Sequence, residues 1–317
     1  MTTSRLLPIG IVQVSLAGVL WGTGGITLEV IRDYAELSFV TVSGYRMLIA
    51  ALVLLAAVVV LRRGRALVAL LRDAPGTACV MGVGTGAYQA FYFGSVVEVG
   101  VTVATVVSLG LAPVLLTAAE ALRDRRHPGG RRVLVVAVAL AGLVLVSVAA
   151  GGTGTGPRPW LGVLLAVGSG ATYAATTALG KTITHRTDPL ALTTVATTAG
   201  ALALVPAALV AGGPLTTDDP VAIGAMGYLG VMTMALAYGL LYAGLRTTTS
   251  TAAVIASLLE PVTAAIVAAL FLDERVGVLG AVGIVLVLAA VAGAGREPVA
   301  ESGPAVPARP DVRTGPA

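Results

Sequence analysis

Ten apolar runs, most of them about 20 residues long and unbroken, decide what this chain can become. They lie at roughly 9–30, 38–61, 76–97, 101–122, 133–150, 160–180, 189–211, 221–245, 252–272 and 276–295. At about 1.5 Å rise per residue, a helix of that length crosses a hydrocarbon layer of roughly 30 Å. Barrel strands would instead alternate in polarity over about 10 residues. The pattern therefore predicts an all-α integral membrane protein with ten transmembrane helices. A content of 56% hydrophobic and 11% charged residues excludes a soluble globular domain of this size. The net charge of +4 is spread over loops, which points to orientation in the lipid bilayer and not to nucleic acid. Cys79 is the only cysteine, so there is no intramolecular disulfide and no cysteine metal cluster, and no cofactor or metal is expected.

Lysine and arginine set the expected topology. With the N-terminus inside, Arg5, the cluster Arg62, Arg63, Arg65 and Arg72, the cluster Arg123, Arg125, Arg126, Arg131 and Arg132, and Lys181, Arg186, Arg246 and Arg296 all fall on the cytoplasmic face. Arg32, Arg158 and Arg275 fall outside. That asymmetry predicts a multi-pass protein of the cytoplasmic membrane with both termini cytoplasmic.

The chain also repeats itself. A shift of 148 positions lays Pro113 on Pro261 and Arg126 on Glu274, and superposes Val101–Leu122 on Thr249–Leu270. The pairs Tyr88/Tyr92 and Tyr238/Tyr242 occupy corresponding spans, two residues out of that register. A repeat of five spans is odd, so the two copies must face opposite ways across the membrane. The expected organisation is a cytoplasmic N-terminus at 1–8, a first five-helix repeat at 9–150, an external connector at 151–159, a second repeat at 160–295 and a disordered cytoplasmic tail at 296–317. Inverted repeats place a transporter's site near the midplane between the copies.

Within Ser250–Glu274 a carboxylate and a proline, Glu260 and Pro261, sit side by side near mid-membrane. A charge there costs roughly 2.5–3.5 kcal/mol, against about 0.3–0.6 gained per large aliphatic residue. Glu260 either pairs with a neighbouring hydroxyl or amide to hold helices together, or helps form a central cavity. Burial favours its neutral form, which could carry a coupling proton. Ala112 stands at the matching position of the first copy, so the carboxylate is the asymmetric addition. Arg46, in the outer third of the second span, either snorkels to the interface or points inward to a carboxylate of the substrate, of Glu29 or of Glu98. Trp21, Tyr88, Tyr92, Tyr238 and Tyr242 are candidates for lining the cavity, the alternative being ordinary packing or an interfacial belt. Glu29, Glu98 and Glu120 lie at span ends and are read as solvated. Pro113 and Pro261 are expected to kink their helices.

Leu20-Trp21-Gly22, Arg46, the span of Pro113, and Leu259-Glu260-Pro261 followed by Asp273-Glu274-Arg275 resemble the EamA family of the drug/metabolite transporter superfamily over about residues 10–295. The chain departs from the family pattern at Arg126, where a glutamate is usual. The resemblance implies ten spans as two inverted five-helix repeats, and export or exchange of small metabolites, amino acids among them, by a membrane carrier. Partners are then a small-molecule substrate and the bilayer, with a homodimer left open. An enzyme is not expected: the two histidines, His127 and His185, lie in loops, and neither HExxH nor GxSxG is present. An ATP-binding phosphate loop is absent too, since Ala175–Thr182 lacks its first glycine. An ion channel or lipid-translocating protein is the alternative from another class.

Overall fold

A computed structural model describes residues 9–125, 127–151, 158–271 and 277–296. The first span is two helices, α1 (Ile9–Gly22) and α2 (Gly24–Tyr34), parted at Thr23. It therefore reaches further than expected and is not one helix. The Thr23 hydroxyl donates to the Leu20 carbonyl at 2.7 Å and shares a 2.8 Å hydrogen bond with the Tyr228 hydroxyl. Ser38 caps α3 (Phe39–Val60) by accepting from the Thr41 amide. A short helix, α4 (Gly64–Asp73), follows within the first arginine cluster, where only a loop was anticipated; Leu70 is buried while Val68 and Leu71 stay exposed.

Helix α5 (Pro75–Asp124) runs for 50 residues, too long for one crossing. Gly100, at φ 79° and ψ 163°, reverses it. The Tyr92 and Thr105 hydroxyls hydrogen-bond at 2.8 Å, whereas a straight helix would hold residues so spaced roughly 20 Å apart. A residue with a Cβ would be strained there, so one glycine makes the whole turn. After α6 (Gly130–Ala149) and α7 (Pro159–Thr184) comes α8 (Pro189–Ala211), with Asp188 as its N-cap. The eighth span is composite: α9 (Pro220–Tyr228), a π-helical stretch at Leu229–Leu236, and α10 (Ala237–Leu245). The ninth is α11 (Ser250–Ser257) and α12 (Leu259–Phe271), and the tenth α13 (Val278–Ala294). Eight helical tracts are long and apolar enough to cross a membrane. With α5 counted twice and the shorter α13 added, the described residues cross ten times, as anticipated.

The two prolines behave differently. Pro261 lacks the N–H that would bond the Ser257 carbonyl, and α11 ends at Ser257. Pro261 then sits in the first turn of α12, where amides have no helical partner anyway. The helix is interrupted there. By contrast α5 continues through Pro113, whose carbonyl accepts from the Thr117 hydroxyl at 2.7 Å. Residues 1–8, Arg126, positions 152–157 of the 151–159 connector, positions 272–276 with Asp273-Glu274-Arg275, and the tail beyond Arg296 lie outside the described residues.

Internal symmetry is written in the close helix crossings. A Cβ on Gly142 of α6 would lie 2.8 Å from the Gly283 carbonyl oxygen, and one on Gly283 of α13 would lie 2.9 Å from that of Gly142. Gly82 packs against the Ala196 carbonyl and Ala199; Gly230, 148 positions on, packs against the Arg46 carbonyl and Ile49. Gly18 meets Ser257, and Gly170, 152 positions on, meets Ser108. The same contacts thus occur twice with the roles of the halves exchanged. Such small-residue crossings supply the close van der Waals packing that joins helices in lipid. Outward-facing Val59, Val60, Val210 and Val278 remain exposed, as a hydrocarbon-facing surface requires.

The π stretch explains the two-residue slip of the tyrosine pairs. Gly82 to Tyr88 takes six steps, whereas Gly230 to Tyr238 takes eight, across Leu229–Leu236. Hydrogen bonding from i to i+5 fits more residues into each turn, so the insertion is absorbed without turning Tyr238 away from its place.

Glu98 corrects the expectation of a solvated carboxylate. It is 6% exposed, and it accepts from the Arg158 amide at 3.0 Å and from the Arg158 guanidinium at 2.8 Å, pinning the start of α7 to the Gly100 reversal. Glu120 is likewise engaged, pairing with Arg132 at 2.9 Å and accepting from the Thr251 amide at 3.4 Å. Removing the Arg158 side chain leaves the buried Glu98 carboxylate without its counter-charge and with only the residue 158 amide as donor, so Arg158→Ala should destabilise by about 1–3 kcal/mol. Glu98→Gln in that background should recover part of the loss. Thermal unfolding of the purified single and double variants in detergent checks both; a double variant weaker than Arg158→Ala alone would contradict the account.

Candidate substrate cavity

Between the two halves lies a cavity of about 440 Å³. Its floor is aromatic, and the symmetry of the fold builds it. Trp21 lies in the last turn of α1, and its ring stands edge-on to Tyr238 at 5.2 Å; Tyr173 of α7, 152 positions after Trp21, lies 5.2 Å from Tyr88. Each pair joins the first span of one half to the third span of the other. Tyr92 adds its ring above Tyr88 at 6.3 Å. Trp21 donates to the Thr233 carbonyl at 2.8 Å, and the Tyr173 hydroxyl donates to Ser257 at 2.9 Å. These bonds fix the rings that line the space.

Arg46 lines the same cavity. It does not snorkel: its guanidinium donates to the Thr233 hydroxyl at 3.0 Å and approaches the Met234 sulfur at 3.6 Å, and its Nε is buried without a partner among the described residues. Nor does it reach the two internal carboxylates considered for it. Glu29 is held by Arg32 at 3.2 Å, and Glu98 by Arg158. Thr233 therefore serves both Trp21 and Arg46, from within the π stretch. Glu260 enters from the first turn of α12, where the helix dipole favours a negative charge. Among the described residues its carboxylate has neither a hydrogen bond nor an ion pair. Arg46 and Glu260 line the same cavity and form no ion pair with each other.

Six of the seven side chains singled out as substrate-binding candidates, Trp21, Arg46, Tyr88, Tyr92, Tyr238 and Glu260, meet around one cavity. Tyr242 does not. It is 2% exposed and lies behind Tyr238, where it lines a recess of about 10 Å³ with Thr85 and Thr177. The sequence reading missed Tyr173 and Gln89, both of which line the main cavity. Tyr173 would have emerged from carrying the repeat into the first span, where it stands opposite Trp21.

The lining runs from Glu260 and Arg46 out to Arg32, Phe39, Val101 and Ala150, all at span ends on one face, so the cavity opens there. The other face is closed. Gly180 packs against Tyr242 and Leu245, and the Lys181 ammonium donates to the Leu245 carbonyl at 2.9 Å, sealing α7 against α10. The cavity walls are mostly apolar, with few convergent polar groups, as in sites that enclose small molecules. Among the described residues no cluster of histidine, cysteine or acidic side chains could hold a metal ion.

Two five-span halves of opposite sense around a one-sided central cavity define a membrane transport protein. The chain belongs to the EamA-like transporter family, whose model matches residues 8–148 and 160–296. It is therefore a multi-pass membrane transporter. It is 29% identical over 203 residues to "Uncharacterized transporter YwfM" of Bacillus subtilis (strain 168), a match that covers 63% of this chain and 67% of the other. A crystal structure of another protein superposes with a TM-score of 0.75 at 20% identity, covering 90% of this chain and 96% of that one, and shows the same fold.

Proposed function

We propose that the protein is a secondary transporter that exports or exchanges small metabolites, amino acids or related compounds, across the cytoplasmic membrane by alternating access. One observation carries this reading: a fixed cation, Arg46, and a carboxyl group, Glu260, face one aromatic-walled cavity and leave each other unpaired. An arginine fork suits a substrate carboxylate. A carboxylate on the other wall suits an ammonium group. Aromatic faces suit the rest of a small amphipathic molecule and the cation itself. With the N-terminus inside, the described state is open to the exterior and closed to the cytoplasm. In this mechanism Glu260 takes up a proton when the site is empty and releases it when substrate binds.

The test is flux in proteoliposomes across pH. Saturable, counter-substrate-stimulated transport is expected, and it separates a carrier from a channel or a lipid-translocating protein. Glu260→Gln should transport more weakly, because the ammonium partner is gone, and with its pH dependence lost. Unchanged, equally pH-dependent transport by that variant rules out the coupling role.

A further inference from the structure

The aromatic floor is two-fold symmetric, but the polar groups above it are not. Under the 150-residue offset that matches Tyr88 to Tyr238, Arg46 falls on Ala196 and Gln89 falls on Gly239; under the 148-residue offset of the proline spans, Glu260 falls on Ala112. All three line the cavity, and each has a small apolar mate in the other half. Gln89 is the least expected of them. It is 5% exposed, its Oε1 and Nε2 are closed off from the open space in the described state, and neither has a hydrogen-bond partner among the described residues, so a substrate meets them once the side chain turns into the cavity. A buried carboxamide left unsatisfied at both ends is uncommon and costly, and a ligand that satisfies it offsets that cost.

We infer that Gln89 is a specificity-determining residue that recognises a substrate group able both to donate and to accept hydrogen bonds. A hydroxyl does both through a single atom, whereas a primary carboxamide meets both ends of Gln89 at once, which narrows the substrate class to zwitterionic amino acids with a carboxamide side chain. The inference rests on the carrier reading above, in which Arg46 takes the carboxylate and Glu260 the ammonium group. Three unlike groups on a symmetric floor fix a ligand at three points. A primary carboxamide complements Gln89 because each amide donates an N–H to the other's carbonyl. A side chain of equal length without polar atoms enters the same space but leaves Gln89 unpaired, and a site built around a polar contact rejects such an analogue strongly.

Equilibrium binding of radiolabelled L-glutamine and L-norleucine to the purified full-length protein tests this. The wild type should bind L-glutamine about 10-fold or more tightly than L-norleucine, the discrimination expected for one buried polar contact. Gln89→Leu should bring the ratio to about one with an unchanged gel-filtration profile, and Gln89→Met serves if the leucine variant does not fold. A wild-type ratio near one, or a ratio unchanged by the substitution, overturns the inference and leaves the carrier reading standing; a Gln89 that merely holds a water gives this result. If the wild type binds neither compound, the amino-acid reading falls as well.

Discussion

Arg46→Lys should weaken amino-acid binding by about 10- to 100-fold while membrane insertion and yield stay near wild type. Lysine keeps the charge but loses the planar fork, in which Nη2 alone now addresses both Thr233 and Met234 and Nε has no partner among the described residues. Arg46→Ala should be worse still, because Glu260 then faces the cavity with no opposite charge near it. Binding isotherms alongside detergent-extracted yield decide between roles. If Arg46→Lys lowered yield as much as it lowered binding, the guanidinium would be a packing element of α3 and not a ligand contact.

The second large effect is expected at Gly22, which lines the cavity but has no side chain to offer a substrate. A Cβ there would lie 2.5 Å from the Glu260 carbonyl oxygen and 2.5 Å from the Thr263 Cβ, with the Ala264 amide nitrogen at 3.1 Å. Backbone cannot yield as a flexible side chain can, so Gly22→Ala must push α1 away from α12. The displacement carries Trp21 and Glu260 apart. We expect about 1–3 kcal/mol of destabilisation and at least a tenfold loss of transport. Gly239→Ala is the control, since nothing lies within 4 Å of a Cβ at that position. Unfolding midpoints and flux for both variants check the prediction; a fully active Gly22→Ala protein would mean that this crossing does not position Glu260.

These contacts explain what could and could not be read from residue order. Span number and inversion follow from apolar runs and loop charge, because a bilayer imposes length and sidedness on every helix. Close packing leaves a fainter trace. Gly22, Gly24 and Gly25 flank the break at Thr23, but Gly82, Gly84 and Gly86 stand as close together inside unbroken helix in α5, so glycine alone does not tell a break from a close crossing. The burial of Glu98 depends on Arg158, 60 residues away, at the start of another span. Gln89 resembles any polar residue in a helix until its neighbours are in place. Tyr242 misled for a related reason: i,i+4 spacing puts it on the same stripe as Tyr238, but the stripe descends from the cavity into the sealed end of the fold. The π stretch had one visible mark, the two-residue slip between the tyrosine pairs, whose meaning appears only once the glycine crossings give a second ruler.

The mismatch between a symmetric floor and unsymmetric polar groups bears on why the two halves share one chain. Two separate, identical copies assembled upside down would have to install every cavity residue in duplicate, with a second arginine across the axis from the first and a second carboxylate facing its twin. Such a site offers the same groups to both ends of a ligand, so an unsymmetric cargo sits in it in two equivalent orientations. Joining the copies lifts that obligation. One half carries Arg46 and Gln89, the other carries Glu260, and a joined chain is thereby free to present different groups to the head and to the tail of a cargo.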